Sequence, residues 1–154
     1  MKTVYLGSDH GGFELKAELL KHLSLLNIVS KDMGTFDTHS CDYPEIAQRV
    51  AQEVQKDKDN LGILICRSGV GMCIAANKFK GIYAACLDTS DSVVKARQHN
   101  AINVLCLSGA LDLVLAKTLV EAFLTTDFDK DPRHCKRREQ IYAIESKNFV
   151  TQTI

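Results

Sequence analysis

The sequence lacks an excess of either charge and lacks any long apolar run, and both absences exclude classes of protein. Nineteen Lys and Arg residues balance 19 Asp and Glu residues in 154, so the formal net charge is zero. A neutral chain does not have the electrostatic footprint of a general nucleic-acid or membrane-surface binder. No stretch approaches the roughly 18 apolar residues that a membrane span requires. We therefore expect an ordinary soluble protein.

The sequence also lacks the spacings typical of metal sites and disulfide frameworks. None of its six cysteines forms a Cys-x-x-Cys pair, and the five histidines are scattered, which argues against a zinc site. Cys66, Cys86 and Cys106 lie in or at the end of aliphatic runs, as buried free thiols of a reducing compartment do. An Asp follows Met1 too closely for a signal peptide. These observations predict a cytoplasmic protein.

Low-complexity linkers are absent as well, and short aliphatic runs alternate with amphipathic stretches along the whole chain. The predicted strands are 3–6, 28–31, 61–66, 82–86 and 103–107. Apolar residues between and after them recur at helical spacing, Pro44 suits a first helical turn, and a last helix follows Pro132. Strands buried on both faces and joined by helices imply a parallel sheet. We expect one domain over residues 1–154, with a three-layer, Rossmann-like doubly wound α/β fold: a five-stranded parallel sheet plus a C-terminal helix.

The segment from Leu61 to Lys78 carries the strongest chemical signal. It places the thiol of Cys66 at the carboxyl end of a strand, just before a Ser-Gly-Val-Gly turn and a helix start. Doubly wound sheets bind ligands beyond the carboxyl ends of their strands, and amides at a helix start can hold an oxyanion. Met72 stands where a cysteine-phosphatase loop would need arginine, and the Gly-Lys-Ser/Thr of a P-loop is missing. A buried structural cysteine is the alternative interpretation.

Three further segments carry polar side chains, each with a structural alternative. Asp9 and His10 follow the first strand and suit proton transfer or anion binding, although Asp9 could instead cap the next helix. His99 ends the fourth helix, where a helix-end charge is the alternative to catalysis. Arg133 and Arg137 are four residues apart, so their side chains project from the same helix face and could bind a phosphate together. A solvated basic face is the alternative there, and no interleaved aromatics favour nucleic acid.

Taken together, seven segments make the chain resemble the type B ribose-5-phosphate isomerases, a family that includes the galactose-6-phosphate isomerase subunits. In family order they are Gly7-Ser-Asp-His-Gly-Gly, Asp42-Tyr-Pro, Gly62-Ile-Leu-Ile-Cys, Ser68-Gly-Val-Gly-Met, Ala75-Ala-Asn-Lys, Ala96-Arg-Gln-His-Asn, and Arg133-His with Arg137. Each segment alone is weak evidence for the family, but the ordered set of seven is specific to it. The resemblance implies a metal-free and cofactor-free isomerase that interconverts D-ribose 5-phosphate and D-ribulose 5-phosphate through an enediolate, in the pentose phosphate pathway. It also implies a homodimer or homotetramer with the site at the subunit interface.

The resemblance assigns roles to residues of this chain. Cys66 would be the base that moves a proton between C1 and C2, Ser68 would help the amides of residues 67–71 hold the enediolate oxygens, and Asp9 and His99 would open the sugar ring. The residues expected to bind the sugar or its phosphate are His10, Tyr43, Arg67, Gly69, Val70, Gly71, Asn100, Arg133 and Arg137. His99 and the two arginines of the last helix are expected to face the cysteine of the partner subunit.

Two positions depart from the family pattern. Arg67 stands where glycine is usual, and Ala110 stands where an arginine that helps bind phosphate is common. Our hypothesis is that Arg67 partly replaces the missing charge, or narrows the pocket toward another sugar phosphate. The alternatives are therefore an isomerase of allose or galactose 6-phosphate, and a catalytically silent sugar-phosphate-binding module. Retention of both Cys66 and His99 favours the pentose-phosphate enzyme.

Overall fold

The computed structural model describes residues 2–149, and these contain one five-stranded parallel sheet. Its strands are β1 (Val4–Ser8), β2 (Ser30–Asp32), β3 (Leu61–Cys66), β4 (Ala84–Cys86) and β5 (Val104–Ser108). The helices are α1 (Phe13–Leu25), α2 (Tyr43–Gln55), α3 (Val70–Ala76), α4 (Ser90–Asn100), α5 (Leu113–Thr125) and α6 (Pro132–Asn148), and a 3-10 turn at His10–Gly12 precedes α1. The predicted fold class is confirmed, and each predicted strand end lies within two residues of the observed one.

Helices cover both faces of the sheet, which makes the three predicted layers. Helices α1, α4 and α5 pack on one face through residues such as Leu19, Val93 and Phe123. Helices α2 and α3 pack on the other face through residues such as Val50 and Met72. The six residues of β3 are buried because the strand lies between these two layers. No helix within residues 2–149 is both long and apolar enough to cross a bilayer.

The strand order creates a crevice at one end of the sheet. The order is β2-β1-β3-β5-β4, so the chain first moves outward from β1 to β2 and then returns past β1 to β3. Right-handed crossovers therefore place α1 and α3 on opposite faces. The carboxyl ends of β1 and β3 consequently form a switch point, where ligands of doubly wound folds bind. Asp9 and Cys66 lie at these two strand ends.

A buried lysine connects α1 to the segment that follows β2. The Lys16 side chain is fully buried, and its Nζ donates hydrogen bonds to Asp32 Oδ1 and to Thr35 O, the latter at 2.6 Å. The same nitrogen lies 5.3 Å from the ring centroid of Phe36. A buried ammonium group is tolerated only when such partners replace its water. Lys16 therefore positions the loop that leads toward the crevice.

We expect Lys16→Met to lower the free energy of unfolding by about 2 kcal/mol, because Asp32 would lose its cation while remaining partly buried. The control is Lys95→Met, whose ion pair with Asp91 lies on the surface of α4 and should contribute less than about 0.5 kcal/mol. Urea unfolding measures both values. Equal losses of stability in the two variants would contradict the importance of the buried pair.

Candidate active site

The site is built where the loops after β1, β3 and β5 meet. The amide of Asp9 donates to Ile65 O at 3.2 Å, and the amide of Gly109 donates to Cys66 O at 2.8 Å. Gly109 and Gly11 touch so closely that a Cβ on Gly109 would lie 2.1 Å from Gly11 O. A side chain is impossible at that distance, so glycine is required at position 109. These contacts hold the end of β3 between its two neighbours.

The thiol of Cys66 lies at the centre of this arrangement. Cys66 is the last residue of β3, is only 5% exposed, and its Sγ accepts a hydrogen bond from the Gly69 amide at 3.2 Å. Gly69 adopts a φ of +79°, and a Cβ there would lie 2.7 Å from Cys86 Sγ. Both the conformation and the space therefore require glycine. The turn bends its amide back onto the sulfur, whereas we had expected that amide to contact the enediolate.

Arg67, Ser68 and Val70 line the exposed rim of the crevice. The Val70 amide donates to Ser68 Oγ at 3.4 Å. Ser108 Oγ donates to Arg67 O at 2.7 Å and accepts from the Ala110 amide at 3.2 Å. One hydroxyl thus connects the two positions that depart from the family pattern. Arg67 and Ala110 are therefore neighbours on the rim.

Asp9 and His10 lie on the β1 side of the crevice. Asp9 is 7% exposed, and its Oδ1 accepts a hydrogen bond from the Gly11 amide at 2.9 Å. Asp9 therefore caps the 3-10 turn before α1, as the alternative interpretation predicted. Nδ1 of the exposed His10 accepts from the Cys41 amide at 3.3 Å. The neutral ring then carries its hydrogen on Nε2, which can donate to an anion.

Tyr43 forms a wall between α2 and the start of α3. It is the first residue of α2, followed by Pro44 in the first turn as predicted. A Cβ on Gly71 would lie 2.7 Å from Tyr43 Cζ, so the ring packs directly on that backbone. Tyr43 remains 38% exposed and therefore reaches the rim of the crevice.

The remaining predicted site residues lie elsewhere in the chain. Helix α4 runs back from the carboxyl edge of the sheet, over 11 residues or about 16 Å, and His99 and Asn100 end it just before β5 begins. Arg133 and Arg137 lie in the first turns of α6. Within residues 2–149, no hydrogen bond or ion pair joins these four residues to the crevice around Cys66. One chain therefore does not bring all the predicted residues together.

His134, a buried histidine to which the sequence analysis gave no separate role, contacts His99. The His134 ring is 5% exposed and stacks on the His99 ring, with centroids 4.1 Å apart and planes tilted by 32°. His134 Nδ1 lies 3.0 Å from both carboxylate oxygens of Asp129, and this hydrogen bond is the main cause that lowers the pKa of Asp129. Asp129 precedes the helix in a loop, so no periodic pattern predicted its contact with His134.

His99, Asp129 and His134 form the one group within residues 2–149 in which three possible metal-ligand atoms lie close together. Their ligand atoms lie within 4.8 Å of one another. Asp129 already serves as the hydrogen-bond partner of His134, and the two imidazole rings stack rather than converge on a point. The arrangement is therefore better suited to orienting His99 than to binding a metal ion.

Comparison with known proteins identifies the family. The family model described as Ribose/Galactose Isomerase matches residues 4–141. The ribose-5-phosphate isomerase B of Escherichia coli is 43% identical over 148 residues, which cover 96% of this chain and 99% of the relative. The probable ribose-5-phosphate isomerase B of Mycoplasma pneumoniae is 42% identical over 144 residues, covering 92% and 94%. The chain belongs to the ribose/galactose isomerase family, which confirms the resemblance seen in its sequence segments.

Solved structures agree with this result. The ribose-5-phosphate isomerase B of Clostridium thermocellum superimposes with a TM-score of 0.91 at 38% identity, covering 96% of this chain and 99% of that one. The enzyme of Mycoplasma genitalium, solved with bound ribulose-5-phosphate, gives a TM-score of 0.90 at 38% identity, covering 95% and 97%.

We expect Gly109→Ala to reduce activity by about 100-fold or more, because the new Cβ would push the β1 and β5 loops apart and displace Cys66. Ala110→Gly is the matched control, since it changes the exposed neighbouring residue without adding an atom. Steady-state kinetics, with circular dichroism to verify folding, would measure the effect. Near-parental activity of Gly109→Ala would show that the loop contact is not needed.

Proposed function

We propose that the protein interconverts D-ribose 5-phosphate and D-ribulose 5-phosphate through an enediolate. The observation that carries the proposal is the thiol of Cys66 at the switch point of the sheet, on the strand next to β1, whose following loop bears Asp9 and His10. Family membership supports it, since the relatives at 42% and 43% identity carry the name ribose-5-phosphate isomerase B. The bound ribulose-5-phosphate of the Mycoplasma genitalium relative supports the same substrate class.

The central step is a proton transfer by Cys66. Its thiolate takes the proton from C2 of the open-chain aldose, so an S–H bond forms while the C2–H electrons form the C1–C2 double bond. As that double bond forms, the C1 carbonyl electrons move onto O1, and a proton passes from O2 to O1. The sulfur then returns its proton to C1 while the C1–C2 double bond is lost, and O2 becomes the ketose carbonyl oxygen. The Ser68 hydroxyl and the amides of residues 67–71 other than that of Gly69, which bonds to Cys66 Sγ, would hold the enediolate oxygens. Substrate and product have the same oxidation level, so the step consumes no redox cofactor.

Ring opening must precede this step. Asp9 would take the proton of the anomeric hydroxyl while a protonated His99 gives a proton to the ring oxygen, so the bond between C1 and the ring oxygen breaks. The Gly11 hydrogen bond holds the Asp9 carboxylate in place. Stacking on His134 would keep the His99 ring oriented, and Asn100 would contact the sugar.

A symmetric homodimer would complete the site. Because α4 carries His99 to the opposite edge of the sheet, we infer that His99, Asn100, Arg133 and Arg137 act on the Cys66 crevice of a partner subunit. His10 and the two arginines would then bind the phosphate. A two-fold axis would form two such sites at once. Exposed apolar side chains on α3 and α6 offer contact surface: Val70, Ile74, Ile141 and Ile144.

Subunit complementation tests this arrangement. Cys66→Ala and His99→Asn should each be inactive alone, because each disables both sites of its dimer. Refolding the two variants together in equal amounts should restore about a quarter of parental activity, since half the dimers would be mixed and each would contain one intact site. Mixing Cys66→Ala with Asp9→Asn is the control. Both substitutions lie on the same side of the site, so this mixture should stay inactive.

Two outcomes would contradict the proposal. If the first mixture regained nothing although mixed dimers were demonstrated, Cys66 and His99 would act from the same chain. If Cys66→Ala alone exchanged the C2 proton of ribose 5-phosphate with deuterated water at the parental rate, Cys66 would not be the base.

A hexose-6-phosphate isomerase is the second candidate, because Arg67 changes the rim of the site. The Ser108 hydroxyl connects the Arg67 carbonyl to the Ala110 amide, so the Arg67 side chain originates beside the position where the family's phosphate-binding arginine is common. We propose that Arg67 supplies the charge that Ala110 lacks. A catalytically silent binding module is disfavoured, since such a module would not need a thiol beside Asp9.

We expect Arg67→Gly to raise the KM for ribose 5-phosphate about tenfold, because one charged contact to the phosphate would be lost. Adding Ala110→Arg to that variant should restore much of the affinity, and Arg67→Lys is the control that keeps the charge. Kinetics with ribose, allose and galactose phosphates would measure KM and substrate ranking. Unchanged values for Arg67→Gly would refute the role of Arg67.

We also infer that the chain works as one isomerase domain in the cytoplasm. A single sheet organises the described residues, and the family match runs from residue 4 to residue 141. All six cysteines are free thiols, which is typical of a reducing compartment.

A further inference from the structure

A second cleft lies at the amino ends of the strands, at the opposite end of the sheet from Cys66. Its floor includes Leu61 at the start of β3 and Asn103 just before β5, and one wall is α6. Its volume is about 780 Å³, which is in the range of small-molecule sites and generous for a pentose phosphate. The proposed isomerase mechanism uses none of the residues that line it.

The cleft is positively charged although the chain as a whole is neutral. Its cationic side chains are Lys2, Lys58, Lys80, Arg97, Lys130 and Arg138, and its acidic ones are Asp59, Asp127 and Glu145. Within residues 2–149, none of these nine side chains forms an ion pair. Glu145 is also occupied on both oxygens, because it accepts from the Gly81 amide at 2.6 Å and from the Tyr83 hydroxyl at 3.0 Å.

The acidic side chains compensate the cations of the cleft only in part. Burial lowers the pKa of Lys2 and the neighbouring Arg97 lowers it further, against the smaller raising effects of Asp127 and Asp59. Burial also lowers the pKa of Arg97 itself. Arg138 Nε is buried and has no hydrogen-bond partner among the described residues. An anion entering the cleft would offset the repulsion between these cations.

Aromatic rings line the same wall. The Arg138 guanidinium lies 4.6 Å from the Phe128 ring centroid and 5.2 Å from that of Tyr142. The Tyr142 and Tyr83 rings lie 5.6 Å apart, and the hydrogen bond from Tyr83 to Glu145 fastens α6 to the sheet. Planar guanidinium and aromatic groups are the surfaces on which nucleic-acid bases stack. The wall therefore offers the kinds of group on which a base stacks.

We propose that this cleft binds a nucleotide, with the phosphates on the lysines at its mouth and the base on the wall formed by Phe128, Arg138 and Tyr142. The site is separate from the isomerase site, and the proposal does not depend on the reaction catalysed there. The combination of excess positive charge, an unpaired guanidinium nitrogen and aromatic faces distinguishes it from a simple basic surface.

Isothermal titration calorimetry on the full-length protein tests the proposal, with ATP, tripolyphosphate and adenosine as probes. ATP should bind with a sub-millimolar Kd, and both fragments should bind at least about tenfold more weakly, because each lacks one half of the ligand. Saturating ribose 5-phosphate should leave the Kd for ATP unchanged, since the proposed isomerase mechanism uses none of the residues that line the cleft.

Charge reversal locates the binding. Lys58→Glu with Lys80→Glu should weaken ATP binding by about tenfold or more. The matched control is Lys78→Glu with Lys95→Glu, which makes the same change in net charge at exposed lysines outside the cleft and should leave the Kd unchanged. Four results would each overturn the proposal. They are the absence of saturable ATP binding, equal effects of the two double variants, tripolyphosphate binding as tightly as ATP, and competition by ribose 5-phosphate.

Discussion

The contact between the strand-end loops is the constraint on which the candidate site depends. Gly109 and Gly11 meet with no room for a side chain, and the amides of Asp9 and Gly109 each bond to the end of β3. Backbone contacts therefore set the relative positions of the two chain segments that carry Cys66 and Asp9. Side chains on the rim, such as Arg67, can then vary without moving the groups that would carry out the chemistry.

The fold separates its polar residues between the two ends of the sheet. The carboxyl edge holds the thiol, the Asp9 carboxylate and His10, whereas the amino edge holds His99 with its buried neighbour His134 and the basic cleft beside α6. Helices in a parallel α/β sheet run opposite to the strands, so a residue at a helix end is displaced from the strand-end crevice of its own chain. This geometry is the physical reason for proposing that two subunits share a site.

Much of the fold could be predicted because its local signals are strong. The run from Leu61 to Cys66 is apolar throughout and is bounded by turn residues, so both its ends were predicted correctly. The crevice at Cys66 also followed from the order of the elements. The Gly69 amide on the sulfur could not be predicted, because it depends on a left-handed turn conformation. The pairing of Asp129 with His134 depends on the irregular segment before α6, for which no periodicity exists.

The direction of α4 has a consequence for how the protein would behave in the cell. If His99 serves the crevice of another chain, a newly made subunit is folded but has no working site, and activity arises only when two copies meet. Catalysis then rises with the square of subunit concentration until the dimer is saturated. Slow synthesis or dilution would lower the activity of the protein without unfolding it. The concentration of subunits would therefore control the activity.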